Sequence, residues 1–240
     1  MNPAHPFLRS SLGLKIVMAL TGFILFGFVI VHMIGNLQVY LGPEAMDAYG
    51  EFLRSLLHGT GLWIARAVLL VAVLLHIWSA WRLTLINRAA RPVAYREVER
   101  RESTYASRTM RWSGVILLLF IVYHLMHFTF GVRAVHPDFV RGAVYHNFVT
   151  GFQNPLASGF YILAMLALGL HLYHGAWSFM QTLGLSHPRY DHLRHTVATL
   201  LTVVVVAGNI SFPVAVLAGL LREDATARPA TAAANTPVGR

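Results

Sequence analysis

The stretch Leu156–Leu183 reads LASGFYILAMLALGLHLYHGAWSFMQTL. It carries no Asp, Glu, Lys or Arg, yet it holds two histidines, His171 and His174. Its length exceeds the ~20 residues needed to cross the hydrocarbon core of a bilayer. It does not alternate polar and apolar residues, so it reads as a helix and not as a strand of a membrane barrel.

Four further segments share these properties: Leu12–Leu41, Gly61–Asn87, Met110–Phe130 and Thr196–Leu221. The expectation is an all-α integral membrane bundle of five transmembrane helices, one domain over 1–221, followed by a disordered Ala-, Thr- and Pro-rich tail over 222–240. Composition agrees. Of 240 residues 56% are hydrophobic and 12% are charged, about half the charged fraction of soluble domains. Acidic residues are missing from Phe52 to Arg96, from Ser103 to Pro137 and from Phe139 to Tyr190. The N-terminal apolar run is too long for the core of a cleaved signal.

The net charge of +9 does not indicate nucleic acid, because the arginines lie in the loops between apolar runs. Twelve of the 19 basic residues fall on one side of the five spans, eight of them between Arg82 and Arg111. The positive-inside rule then predicts a cytoplasmic N-terminus and an outside C-terminus. The arginine-rich loop also suits anionic headgroups or a soluble partner.

Six of the 13 histidines fall in apolar runs: His32, His76, His124, His127, His171 and His174. A single intramembrane histidine is commonly a helix–helix hydrogen bond. Six on four helices, with no carboxylate in any span, call for a shared ligand in the bundle interior. Without cysteine, thiolate sites, iron–sulfur ligation and covalent haem attachment are excluded.

Depth sorts the histidines. Counted from the helix ends, His32 and His124 lie at matching depth in the outer half, with His127 nearer the surface. His76 and His171 lie equally far into the second and fourth spans, toward the inner half. At ~1.5 Å per residue the two levels differ by roughly 8–10 Å. Two pairs on opposed helices at two depths suit bis-histidine haem, and glycines at 22, 27, 35, 114, 169 and 175 offer room. Depth favours His124 over His127 but leaves both His171 and His174 open. Two other readings compete. A non-haem metal held by the two His-x-x-His pairs lacks the glutamates of di-iron bundles. A non-haem histidine-containing transporter lacks intramembrane carboxylates and broken helices.

Several stretches now carry a resemblance: Ser10-Ser11-Leu12-Gly13-Leu14-Lys15 leading to Ala19-Leu20-Thr21-Gly22, then Val31-His32-Met33, Leu75-His76-Ile77, Tyr123-His124-Leu125, and His171-Leu172-Tyr173-His174-Gly175-Ala176-Trp177-Ser178-Phe179. From about Arg9 to Leu221 the chain resembles the five-helix di-haem cytochrome b anchor of succinate:menaquinone oxidoreductases and fumarate reductases. The resemblance selects His171 over His174, with His32/His124 holding the outer haem b and His76/His171 the inner one. It implies a flavoprotein and an iron–sulfur partner on the cytoplasmic face, menaquinone or another quinone as substrate, and a bacterial cytoplasmic (inner) membrane. The chain alone is expected to have no succinate activity, because nothing in it could bind flavin or a dicarboxylate in water. A cytochrome b subunit of another membrane dehydrogenase or hydrogenase is the alternative, which the fourth-span motif disfavours. Some relatives carry a glutamate where this chain has Gly169, so no carboxylate-gated proton path across the membrane is expected.

A quinone needs polar groups near a haem edge and the interface. The candidates are Arg9, Ser10, Ser11 and Lys15 on the inner side. On the outer side they are Gln38, Glu51, Arg54 and His58, of which Glu51 and His58 could exchange protons. Interfacial anchoring explains the same residues equally well.

Overall fold

A computed structural model describes residues 7–8, 10–90, 105–185 and 187–223, without the side chains of 106 and 107. Arg9, most of the arginine-rich loop and the tail beyond 223 lie outside the described residues.

Seven α-helices are described: α1 Ser11–Asn36, α2 Pro43–Ser55, α3 Gly61–Ala89, α4 Tyr105–His124, α5 Val144–Gln153, α6 Pro155–Thr182 and α7 Asp191–Leu217. Short 3₁₀ turns, Leu37–Leu41 and Pro188–Tyr190, continue α1 and lead into α7. No strand occurs among the described residues. α1, α3, α4, α6 and α7 are each long and apolar enough to cross a membrane, as expected. Their outer faces are apolar: Leu156 is 84% exposed, and Phe23, Val31 and Leu70 are also bare. Apolar faces of this extent suit lipid. Exposed Trp63 sits near one end of the bundle, with Trp81 and Trp112 near the other, where membrane interfaces collect tryptophan.

The ends of the helices follow local chemistry. The Ser10 side chain caps α1 by accepting from Gly13 N at 2.9 Å. Asn154 caps α6 by accepting from Leu156 N and Ala157 N, and Pro155 opens the helix where a missing N–H costs nothing. Pro43 does the same for α2 behind Gly42, whose φ of +101° belongs to glycine.

Two boundaries differ from expectation. The fifth span was expected over Thr196–Leu221, but α7 begins at Asp191 and ends at Leu217. Asp191 sits in the first turn, where the helix dipole favours a carboxylate, and Gly219 at φ +70° ends the run. Hydropathy ranks this polar first turn as loop. The third span was expected to run evenly to Phe130. Instead it passes at Leu125 into a π-helical turn over Leu125–Thr129, with Phe130 N bonded to Leu125 O at 2.8 Å and Val132 N to Met126 O at 2.9 Å. Such turns often mark functional positions.

α1 and α6 pack together at the centre; α3 flanks α1, α4 flanks α6, and α7 lies mainly on α6. The connections α2 and α5, which hydropathy leaves as loops, pack on one another and cover one end of the bundle. The core concentrates under this cap: Met33, Val39, Met46, Phe148, Val149, Phe152, Tyr161, Val205 and Phe212 cluster there. Tyr49 of α2 fills the space beside Gly35, where a Cβ would come within 2.6 Å of the ring. Tyr145 N of α5 donates to Asp47 of α2 at 2.9 Å. Arg222 and Glu223 also join the cap, since Tyr145 Oη donates to Arg222 O at 3.1 Å and Glu223 contacts His146.

Candidate functional site

The histidine pairs form across helices that are not among the closely packed ones. His32 on α1 faces His124 on α4, with ring centres 5.7 Å apart. His76 on α3 faces His171 on α6 at 6.2 Å. Two imidazole nitrogens sharing one metal at about 2.0 Å each put the ring centres roughly 6 Å apart. Both pairs fit that spacing. Among the described residues no three His, Asp or Glu side chains converge as a metal-ligand group, so the arrangement is one of opposed pairs.

The second nitrogen of each ring decides which atom is available. His76 Nδ1 lies 3.2 Å from Met18 O. A carbonyl only accepts, so Nδ1 carries the hydrogen and Nε2 keeps its lone pair. Thr21 Oγ1, which donates to Val17 O at 2.7 Å, is a further acceptor for the same N–H at 3.2 Å. His171 Nδ1 lies 3.2 Å from Ser113 Oγ, which itself donates to Met110 O at 3.0 Å. The same count makes Nδ1 the donor and leaves Nε2 open. This is the tautomer a metal needs, fixed by a partner behind each ring.

Tyr161 Oη serves two rings, His124 Nδ1 and His127 Nδ1, each at 3.1 Å. One hydroxyl donates once. With His124 Nδ1–H donating to Oη, the phenol hydrogen goes to His127, and His124 Nε2 is open toward His32. His127 shares that partner but differs in its surroundings. It is buried, its Nε2 faces Gly151 of α5 at the distance of a tight Cβ contact, and its ring packs on His136. Geometry therefore separates His124, in the opposed pair, from His127, in the cap. His174 likewise lies off the pair, its ring 6.1 Å from Trp177.

Small residues make room at the His76/His171 pair. A Cβ on Gly22 would stand 3.3 Å from His76 Cε1, and one on Gly114 would stand 3.9 Å from His171. Gly175, one turn from His171, has nothing within 4 Å of the Cβ position. Gly27 is open too, but at 100° per residue it lies nearly opposite Gly22 and faces lipid. Gly169 is filled by Val206 of α7. Buried donors without partners remain toward the arginine-rich end: Trp177 Nε1 and the Nε and Nη1 of Arg194, whose Nη2 binds Asp191. Such orphan N–H groups fit an acidic ligand edge.

The polar quinone candidates are not gathered into one place. Ser10 is engaged as a cap, and Ser11 and Lys15 are exposed on α1 at the arginine-rich end. Gln38, Glu51, Arg54 and His58 lie at the capped end, the last three exposed, His58 in a turn at φ +55°. Arg9 lies outside the described residues. A cleft of about 380 Å³ opens elsewhere, lined by Tyr123, Ala134, Val135, Asn154, Leu156, Ala157 and Phe160. No candidate from the sequence lines it. Its signal was available only as Tyr123 beside His124 and the Asn154–Pro155 helix start.

Residues 87–210 match the family model of the succinate dehydrogenase/fumarate reductase transmembrane subunit, a region that includes α4 to α6 and most of α7. No curated protein and no solved structure gives a match. The matched region is just over half of the chain and contains His124 and His171, and by it the chain belongs to the family of succinate dehydrogenase/fumarate reductase transmembrane subunits, the membrane anchors of those complexes.

Proposed function

We propose that the chain carries electrons between an iron–sulfur partner and quinone through two haem b groups, one held by His32 and His124, the other by His76 and His171. The observation that carries this reading is the pair geometry: opposed rings about 6 Å apart, with Nδ1 of His76 and His171 fixed as donors so that Nε2 is left for iron. Bound haem supplies one-electron chemistry in a dry setting. The chain's own residues orient the imidazoles, exclude water with lipid-facing apolar helices, and offer Trp177 and Arg194 as N–H donors to the haem carboxylates.

The arginine-rich end is the cytoplasmic one in this reading, and the cap faces outside. The iron–sulfur and flavoprotein subunits then dock near His76 and His171. The cleft beside Tyr123 is the quinone seat in this reading. Its lining combines the aromatic Phe160 with two residues that carry polar groups, Asn154 and Tyr123. Menaquinone is the expected quinone by the family resemblance.

The test is a reduced-minus-oxidised spectrum with a pyridine haemochrome count on protein purified from its native membrane. Two haem b per chain is the expected result. Intact protein without haem would return the histidines to a transport role.

A further inference from the structure

Three hydroxyls stand behind the paired histidines, and each must place its own hydrogen before it can accept from a ring. Thr21 Oγ1, behind His76, donates to Val17 O at 2.7 Å. Ser113 Oγ, behind His171, donates to Met110 O at 3.0 Å. Serine and threonine side chains are short enough to reach a carbonyl one turn back in their own helix. Tyr161 Oη, behind His124, is carried on a ring and cannot do this. Among the described residues its hydrogen-bond partners are His124 Nδ1 and His127 Nδ1, each at 3.1 Å. His127 is held firmly in that place. It is 1% exposed, and its ring packs on Phe128 and His136 with centres 4.2 and 4.8 Å away. Its backbone oxygen accepts from His136 Nδ1 at 3.2 Å, and a Cβ on Gly151 would stand 3.0 Å from its Nε2.

A hydroxyl between two neutral imidazoles has two arrangements of hydrogens. In the first, His124 Nδ1–H donates to Oη and the phenol donates to His127 Nδ1. In the second, His127 Nδ1–H donates to Oη and the phenol donates to His124 Nδ1. The two differ on the far side of His124. The first leaves a lone pair on His124 Nε2, toward His32. The second puts a hydrogen there, and that nitrogen cannot bind a metal. The first arrangement requires an acceptor for the phenol hydrogen other than His124, and His127 Nδ1 is that acceptor. Donating to it polarises the phenol oxygen, which then accepts more strongly from His124. A stronger acceptor behind a ligand ring raises the basicity of the ring. Without His127 the phenol has one acceptor left, His124 Nδ1, the atom that must carry a hydrogen for its ring to ligate.

We infer that His127 is a positioning residue for the His32/His124 haem: by taking the Tyr161 hydrogen it makes the phenol an acceptor, and so sets the tautomer and the electron donation of His124. A packing role for His127 asks only for a side chain of suitable size in that space. The positioning role asks for an acceptor at the place of Nδ1. It also gives the His-x-x-His spacing of α4 a purpose, since side chains three residues apart lie on one face and a single hydroxyl from α6 reaches both.

This inference rests on the proposed haem reading, and the experiment separates the two. Asn and Leu side chains have the same shape, and only Asn carries an acceptor. The full haem-loaded chain is purified from its native membrane as wild type, His127→Asn and His127→Leu. Each haem is followed by redox titration and by transfer to a haem-scavenging protein. His124→Ala identifies the redox component that belongs to the His32/His124 pair. His127→Asn should keep that component where the wild type has it. His127→Leu should raise its ferrous-to-ferric ratio at fixed potential about tenfold, equal to about 59 mV for one electron, or release the haem, because a less basic ligand ring favours ferrous iron and binds more weakly. The His76/His171 component should stay in place in both variants. In a Tyr161→Phe background the Asn and Leu variants should behave alike. Equal behaviour of the two with Tyr161 present, both native-like or both impaired, would overturn the inference, as would a difference that survives Tyr161→Phe. Haem content unchanged by His124→Ala would overturn the ligand assignment beneath it, and a wild type without haem would overturn the electron-carrying function itself.

Discussion

The two ends of the bundle hold similar histidine pairs in dissimilar surroundings. At the arginine-rich end, His76 and His171 are fixed by a carbonyl and hydroxyls of the spanning helices themselves, Met18 O, Thr21 and Ser113. Nothing described covers that end, and aromatic pairs such as Trp177 on His195 lie near it. At the capped end, His124 is fixed by Tyr161, which also holds His127, and two added helices bury the assembly. The difference teaches that the spanning helices alone can fix one pair, whereas the other is closed over by the chain's own α2 and α5.

Replacing ligands should break the comparison most severely. His32→Ala or His124→Ala should remove one haem of two, and His76→Ala or His171→Ala the other. A haemochrome count that falls by half each time, with different spectral components lost, is the expected outcome. Equal loss of both components from any one variant would mean that the pairs are not independent.

Removing the hydrogen bond behind a ligand is the next test. Loss of such a partner commonly costs about 10–100-fold in metal affinity. Tyr161→Phe should weaken haem retention at the capped end only, and Ser113→Ala at the other end only. Competition with a haem-scavenging protein measures both. Crossed effects would show that the two ends are coupled through α6.

The cap itself should respond by smaller amounts. Asp47→Ala removes the acceptor for Tyr145 N and should cost about 1–3 kcal/mol, read as faster hydrogen exchange in α5 with α3 unaffected. Burial also holds His136 below the ordinary imidazole value of 6.5. An unfolded cap takes up a proton as pH falls through about 6.5, while the folded cap resists. Stability from this group is therefore full above that pH and is lost as pH falls toward the lowered folded value. α5 amides should exchange faster at pH 5.5 than at pH 7.5 after correction for intrinsic rates, and His136→Phe should flatten that difference.

Much of this arrangement was legible in the residues. The five spans follow from long uncharged runs, and depth along antiparallel helices pairs His32 with His124 and His76 with His171 or His174, of which the family resemblance selects His171. Both pairs meet in the structure. What could not be read was the cap. α2 and α5 are short, and α5 buries polar residues, so hydropathy passes over both. His136, His146 and Glu223 lie outside the spans and draw no notice as intramembrane oddities, although a second cluster of histidines between the third and fourth spans was a usable signal. The quinone candidates were chosen as polar residues near an interface, a property shared by residues far apart in space, and only the fold shows a cleft at Tyr123 that none of them lines.

The sequence by itself determined that the chain crosses a membrane as helices, because the cost of exposing backbone polar groups to lipid leaves a long apolar run no other choice. It also determined which histidines share a level, because rise along a helix is fixed. The tertiary structure decided which nitrogen of each ring is open, which member of each His-x-x-His pair faces its partner, and which histidines join the cap. Those outcomes depend on hydrogen bonds between residues 34 to 77 positions apart in the chain, and no local pattern encodes contacts at that range.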